Sequence, residues 1–214
     1  MSDIFREVDE DLRSEHYEKL WKKYGRFLIG AAVSVVVVTA AWQGWTAWQR
    51  GKNERNGERF MAAVQLVQRG QPGAAITLLE ALEGEAGGGY VTLSRLQRAA
   101  ALVAVGDRRA AMNIYDQVAA DTGIDKSLRD LAALLAAQAL IDTADRATIE
   151  RRTARLNLEE NPYRFAAREL LALAAMKAND TEAAKALLTA LADDPATPQG
   201  ARARATEMLA AIGA

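Results

Sequence analysis

Few side chains in this sequence have the type and spacing that chemistry requires. His16 is the sole histidine and cysteine is absent, so neither a histidine-based catalytic pair nor a His/Cys zinc site can be assembled. His16 reads as an exposed helix residue. Asp121, Thr122 and Gly123 spell the tripeptide of aspartic proteases, but those enzymes oppose two carboxylates in β-rich surroundings. Here the tripeptide reads as a helix end, with Asp125 or Ser127 capping the next helix. The run GEAGGGY, Gly84 to Tyr90, has the glycines of a phosphate cradle without the following Lys and Ser or Thr or the preceding strand, and reads as a flexible link. The acid pairs Glu159-Glu160 and Asp193-Asp194 stand just before prolines, where helix dipoles and solvation account for them. The expectation is a protein with no catalytic, cofactor-binding or metal-binding residues, whose work is done by surfaces.

Those surfaces depend on two kinds of element. The first is FLIGAAVSVVVVTAAWQGWTAWQ, Phe27 to Gln49, 23 consecutive uncharged residues. At 1.5 Å per helical residue they reach roughly 34 Å, enough to cross a bilayer. Ser34, Thr39 and Gln43 do not make the polar face that a soluble core helix shows. The leader before it carries six basic and seven acidic residues, unlike the short basic start of a cleaved signal, so an anchor is preferred. Trp42, Trp45 and Trp48 at one end and Trp21 and Tyr24 at the other suit the boundary between lipid and water. Lys19, Lys22, Lys23 and Arg26 cluster more tightly than Arg50, Lys52, Arg55 and Arg59, which tilts orientation toward a cytoplasmic N-terminus. The expected division is residues 1–26 as a cytoplasmic amphipathic leader, 27–49 as a transmembrane helix and 50–214 as an exported domain.

From Gln49 onward basic and acidic residues balance at 21 each, which disfavours nucleic acid as a partner. The region is rich in Ala and Leu and poor in β-branched residues, so it reads as all-α. Three turns repeat within it: Gly70 to Ala75, Gly106 to Ala111 and Asn179 to Ala184, starting 36 and 73 residues apart. Gly and Asn tolerate the left-handed end of a helix. Halving the larger gap places a fourth turn at Asp142. Seven residues before the three clear turns stand Ala63, Ala99 and Ala172; five after them stand Ala75, Ala111 and Ala184. Large apolar residues follow nine and twelve after: Leu79 and Leu82, Tyr115 and Val118, Leu188 and Leu191. The Asp142 unit offers Arg151 and Ala154 at those places, so it is degenerate or its second helix packs differently. Four helical hairpins of about 36 residues, close to the tetratricopeptide period, make an α-solenoid.

The hairpins resemble tetratricopeptide repeats, although the large aromatic of the first helix is missing and Pro195 only approximates the closing proline. A further resemblance spans nearly the whole chain: IFREVDEDLR, then LWKKYG, one apolar span, then NPYRFAARELLALAAMKANDTEAAKALL and a TPQG tail. In these features the chain is similar to the YfgM-like family, whose repeat domains are related to those grouped with CpoB. The resemblance implies an anchor in the bacterial inner membrane, a periplasmic repeat domain, an ancillary place beside the SecYEG translocon, and work with periplasmic chaperones such as the PpiD-type prolyl isomerase on exported unfolded proteins. A non-enzymatic scaffold for cell-envelope assembly or cell division is the alternative.

Tyr90, Tyr115, Tyr163, Arg164 and Phe165 are candidate partner contacts, since aromatics and Arg dominate hot spots. Register also places Tyr115 with buried Leu79 and Leu188, and Phe165 reads as a staple for the last repeat. Ile4, Val8 and Leu12, continued by Leu20, Trp21 and Tyr24, give the leader an apolar edge that docks on a partner or lies along lipid.

Overall fold

The computed structural model describes residues 3–213, with side chains described from residue 22 onward except those of residues 25, 26, 28 and 32. The side chains of His16, Ile4, Val8, Leu12, Leu20 and Trp21 lie outside the described residues. Among the described residues there are nine helices and no strand: α1 Asp3–Gln68, α2 Pro72–Glu85, α3 Gly89–Ala104, α4 Arg108–Ala120, α5 Lys126–Leu140, α6 Arg146–Thr153, α7 Arg164–Lys177, α8 Thr181–Asp193 and α9 Gln199–Gly213. The chain forms two compact units, Met1–Arg55 and Asn56–Ala214.

In the first unit, α1 holds a stretch that is long and apolar enough to cross a membrane, and none of it is buried. A core helix of a soluble domain would be covered. Here Val35, Val36, Val37 and Val38 are 60–68 % exposed. Ser34 and Thr39 turn their hydroxyls back onto the carbonyls of Gly30 and Val35 at 2.8 and 2.7 Å, so these two hydroxyls are satisfied within the helix.

The second unit is a tetratricopeptide-like α-solenoid. The end of α1 pairs with α2 through Ala63, Ala75 and Leu79, then α3 with α4, α5 with α6 and α7 with α8; α9 packs on α8 and α7 as the first helix of a further hairpin would. The first helices of successive hairpins adjoin through α3–α5, α5–α7 and α7–α9. Ala63, Ala75, Ala99, Ala111, Ala172 and Ala184 are all fully buried, and their small side chains allow close approach of paired backbones. Leu79, Leu82, Val118 and Leu188 are fully buried beside them, with Leu191 and Tyr115 nearly so. The core therefore runs as linked clusters along the stack.

Three turns close alike. The amides of Gly70, Gly106 and Asn179 donate to the carbonyls of Val67, Val103 and Met176, and the next amides, of Gln71, Asp107 and Asp180, donate to Leu66, Leu102 and Ala175. This doubled closure requires a left-handed residue, and φ is +74° at Gly70, +86° at Gly106 and +59° at Asn179. The third hairpin differs. Asp142 lies in its turn, but the residue in register is Ala144, directly before the capping Asp145 as Gly106 precedes Asp107. Counted from Ala144, the unit presents Ala137, Ile149, Thr153 and Leu156, all buried to at least 99 %. The unit is therefore regular in its packing; halving the gap misplaced it by two residues, because its turn is longer.

Repeat-spaced cations tie the hairpins together. Arg152 of α6 grips Asp116 of α4 with nitrogen–oxygen distances of 2.7 and 3.3 Å. Arg204 of α9 grips Glu169 of α7 at 2.6 and 2.8 Å. Arg146 pairs with Asp180, the cap of α8. Lys177 reaches the carbonyls of Ile141, Asp142 and Ala144 at 3.2, 2.6 and 3.2 Å, closing the turn that lacks a left-handed residue.

Candidate interaction surface

Along the face built by the first helices, two hollows open. One of about 400 Å³ lies among α5, α7 and α9, walled by Leu134, Ile141, Leu170 and Leu173, with Glu169 and Arg204 at its side. The other, about 290 Å³, lies between α3 and α5 and is walled by Ala100, Val103, Leu135 and Ala139, with Arg108, Tyr115 and Asp142. Gln138 lines both. Apolar walls with a few polar groups can hold side chains of a second polypeptide.

Tyr115 is the polar group set deepest. It comes from the buried face of α4 and is 2 % exposed; burial pushes its phenol up to about 12, so it stays neutral. Sequence register found Tyr115 but read it as core; the signal of something further is a hydroxyl where Leu79 and Leu188 carry methyl groups. Arg108, Gln138 and Asp142 as groove residues were not legible, since they meet only when α3, α4 and α5 stack.

The candidate contacts Tyr90, Tyr163 and Arg164 are half-buried and sit apart from the hollows. Tyr90 leans on Phe60, ring centroids 6.4 Å apart, with its hydroxyl over Gly57, where a Cβ would come within 2.8 Å of it. Tyr163 precedes α7 and its amide donates to Asn161 Oδ1 at 2.9 Å. Asn161 in turn donates to the buried Asp130 at 2.9 Å, which also holds Lys126 at 2.7 Å. Arg164 stacks its guanidinium 4.0 Å from the Phe165 ring centroid, and Phe165 is 8 % exposed within the α7–α8–α9 cluster. Asn161, Tyr163 and Arg164 fasten the long α6–α7 connection to the stack, whereas Tyr90 joins the start of α3 to the end of α1.

The sites read as barren of chemistry have structural partners. Asp121 ends α4 and accepts the Gly123 amide at 2.9 Å, while Asp125 caps α5 through the Ser127 amide at 2.8 Å. The glycine cluster links α2 to α3, with φ +61° at Gly88. Glu159 holds Arg168 at 2.5 Å.

In the first unit the tryptophans are exposed, Trp42 at 70 %, Trp45 at 61 % and Trp48 at 55 %. Trp45 and Trp48 lie together, centroids 5.3 Å apart, and Lys52 sits 5.9 Å over the Trp48 ring. Tyr24 at the other end is half exposed with Lys23 5.3 Å from its ring. An apolar helix with amphipathic rings and cations at its ends matches the layering of a bilayer interface.

Stacked hairpins with grooves along one face define a helical-repeat interaction module. The family model described as a tetratricopeptide repeat-like domain matches residues 18–148, more than half of the chain, and the chain belongs to that family. Comparison with curated proteins and with solved structures gives no match. The α7–α8 hairpin lies beyond the matched segment and carries the same turn and buried positions.

Proposed function

We propose that this is a YfgM-like, membrane-anchored interaction module of the bacterial periplasm, ancillary to the SecYEG translocon, which receives newly exported unfolded proteins and passes them to periplasmic chaperones such as the PpiD-type prolyl isomerase. In this reading residues 1–26 are cytoplasmic, 27–49 cross the inner membrane once, and 50–214 work in the periplasm. Trp21, Tyr24, Trp42, Trp45 and Trp48 mark the two interfaces.

The observation that carries the reading is the pairing, in one chain, of an uncovered apolar helix ending in three exposed tryptophans with a repeat domain that offers grooves. Such a chain keeps a binding surface near a membrane. A photoreactive residue at Trp45 is expected to crosslink translocon subunits in cells, and an alkaline-phosphatase fusion at Ala214 is expected to be active. An inactive fusion removes the periplasmic assignment. Capture of division proteins, with no effect of the purified chain on aggregation of unfolded substrates, favours a scaffold for envelope assembly or cell division instead.

A further inference from the structure

The longer turn of the third hairpin leaves polar groups unpaired in one place. Arg146, two residues past Ala144, reaches Asp180, the cap of the following hairpin, and Glu150. Arg108 holds the same register position, two past Gly106, yet among the described residues it makes no ion pair or side-chain hydrogen bond. The corresponding cap, Asp145, is engaged at the Thr148 amide, 2.8 Å away. The acid that lines the hollow with Arg108 is instead Asp142, contributed by the longer turn, and its carboxylate also lacks a partner among the described residues.

Tyr115 adds a second, independent irregularity. Its register position holds Leu79 in the first hairpin, Thr153 in the third and Leu188 in the fourth, and the Thr153 hydroxyl is satisfied by the Ile149 carbonyl at 2.8 Å. The Tyr115 hydroxyl has no hydrogen-bond partner among the described residues, although the residue is 98 % buried, the complement of its 2 % exposure. It is not one of the fully enclosed polar atoms that lack a partner, so it opens into the hollow that Tyr115 lines. Because it is reached from the hollow, the hydroxyl can bond to water there, and an occupant has to replace that bond.

The walls around these groups, Ala100, Val103, Leu135 and Ala139, are apolar, and Gln138 connects the hollow to the leucine-walled one beside α7. An occupant that uses both is elongated. It has an apolar body with a neutral hydrogen-bonding tip for Tyr115, and a neighbouring acceptor and donor for Arg108 and Asp142, which a peptide unit supplies as C=O and N–H.

We propose that the hollow between α3 and α5 is a subsite for a tyrosine side chain of an extended polypeptide, the tyrosine hydroxyl meeting Tyr115 Oη and the adjoining peptide groups lying between Arg108 and Asp142. This deepens, and rests on, the reading of the domain as a protein-interaction module. It also assigns Gln138 to the path between the two hollows.

The test uses the full chain in lipid nanodiscs and two short fluorescein-labelled peptides of glycine and serine, capped at both ends. Each carries two leucines and either one tyrosine or one phenylalanine. Anisotropy titrations are expected to show the tyrosine peptide binding about five-fold tighter, the worth of one neutral hydrogen bond. Tyr115→Phe abolishes that preference while leaving the melting temperature near that of the native chain, since the hydroxyl makes no hydrogen bond within the described residues. Arg108→Ala combined with Asp142→Ala weakens both peptides about ten-fold, and Arg109→Ala leaves both unchanged. A preference that survives Tyr115→Phe, or native binding by the Arg108/Asp142 variant, overturns the subsite and leaves the interaction module standing. Binding of N-acetyltyrosinamide as tight as that of the peptide overturns the polypeptide as occupant. Failure of both peptides to bind the native chain overturns the subsite and, with it, the reading of unfolded polypeptide as the client.

Discussion

The α5–α6 and α7–α8 hairpins bury the same four register positions but close their turns by different means. In the fourth hairpin the closure is local, through Asn179 at φ +59° and two backbone hydrogen bonds. In the third, the Ala144 amide returns to Leu140, and the Ile141, Asp142 and Ala144 carbonyls are held by Lys177, 33 to 36 residues later in sequence. A helix end needs its carbonyls satisfied; whether backbone or a distant ammonium does so is open. The local solution makes a hairpin self-contained, whereas the distant one makes the third hairpin depend on its neighbour.

The widest expected effect lies where the two hairpins share a position but not a residue. Leu188 is fully buried, so Leu188→Ala leaves a cavity and costs about 3 kcal/mol. For a domain of this size that lowers the melting temperature by roughly 6 to 12 °C, followed by circular dichroism in micelles. At the matching place, Thr153→Val keeps the volume and removes a hydroxyl already satisfied within its own helix, and is expected to change the melting temperature little. A loss at Thr153→Val as large as that at Leu188→Ala would show that the Thr153 hydroxyl does more than close onto its own helix.

Next in size is the distant closure. Lys177→Ala is expected to cost about 1 kcal/mol through the lost charge at the α5 terminus. Its signature is faster hydrogen exchange across residues 138–145, with the Asn179 turn unchanged although Lys177 lies two residues before it. Exchange accelerating at Asn179 instead would place the role of Lys177 in its own hairpin.

Smaller still are the turn residues, where the two hairpins should answer with opposite sign. Asn179 sits in the left-handed region, so Asn179→Ala costs about 1 kcal/mol and Asn179→Gly is neutral or stabilising. Ala144 lies outside the left-handed region, so Ala144→Gly adds only freedom to the unfolded chain and destabilises by about 0.5–1 kcal/mol. Glycine helping at both positions would mean the third turn also demands a left-handed residue.

This contrast bounds what sequence could reveal. The turns at Gly70, Gly106 and Asn179 were legible because left-handed backbone is nearly restricted to Gly and Asn, and the buried alanines because hairpin packing imposes one spacing. The third hairpin was misread by two residues because a period was interpolated across it. The residue that marks its register is the capping Asp145, matching Asp107 and Asp180, and a cap fixes a helix start whatever the length of the turn before it. Lys177 and the Arg152, Arg146 and Arg204 clasps were not legible, since a surface cation carries no local sign of which carbonyl or carboxylate it will meet. Nor was the Arg108, Tyr115 and Asp142 grouping, which exists only after three helices are stacked. The uncovered helix was legible from composition alone, because length without charge is a property of the string.

The subtlest difference between the two hairpins is their response to acid. Asp145 caps α6 and is held below the usual carboxylate range by hydrogen bonds from the Thr148 hydroxyl and amide. Asp180 caps α8 and is lowered first by the Ala183 amide and then by Arg146. A folded-state value below the unfolded one means stability that is fully present above the ordinary carboxylate pKa, near 4, and is lost as pH falls through the folded value. Both hairpins therefore weaken only below about pH 4, but Asp180 takes the link to the third hairpin with it, because Arg146 belongs to α6. Asn is a comparable cap without a charge. Asp180→Asn is expected to leave α8 capped and the melting temperature at pH 7 nearly unchanged, while flattening its decline between pH 4 and pH 3 and speeding exchange at Arg146 more than at Ala183. Asp145→Asn should flatten the same decline without loosening any neighbour. If the two variants gave identical exchange patterns, the Arg146–Asp180 contact would carry no coupling, and the fourth hairpin would be as independent as its local turn makes it.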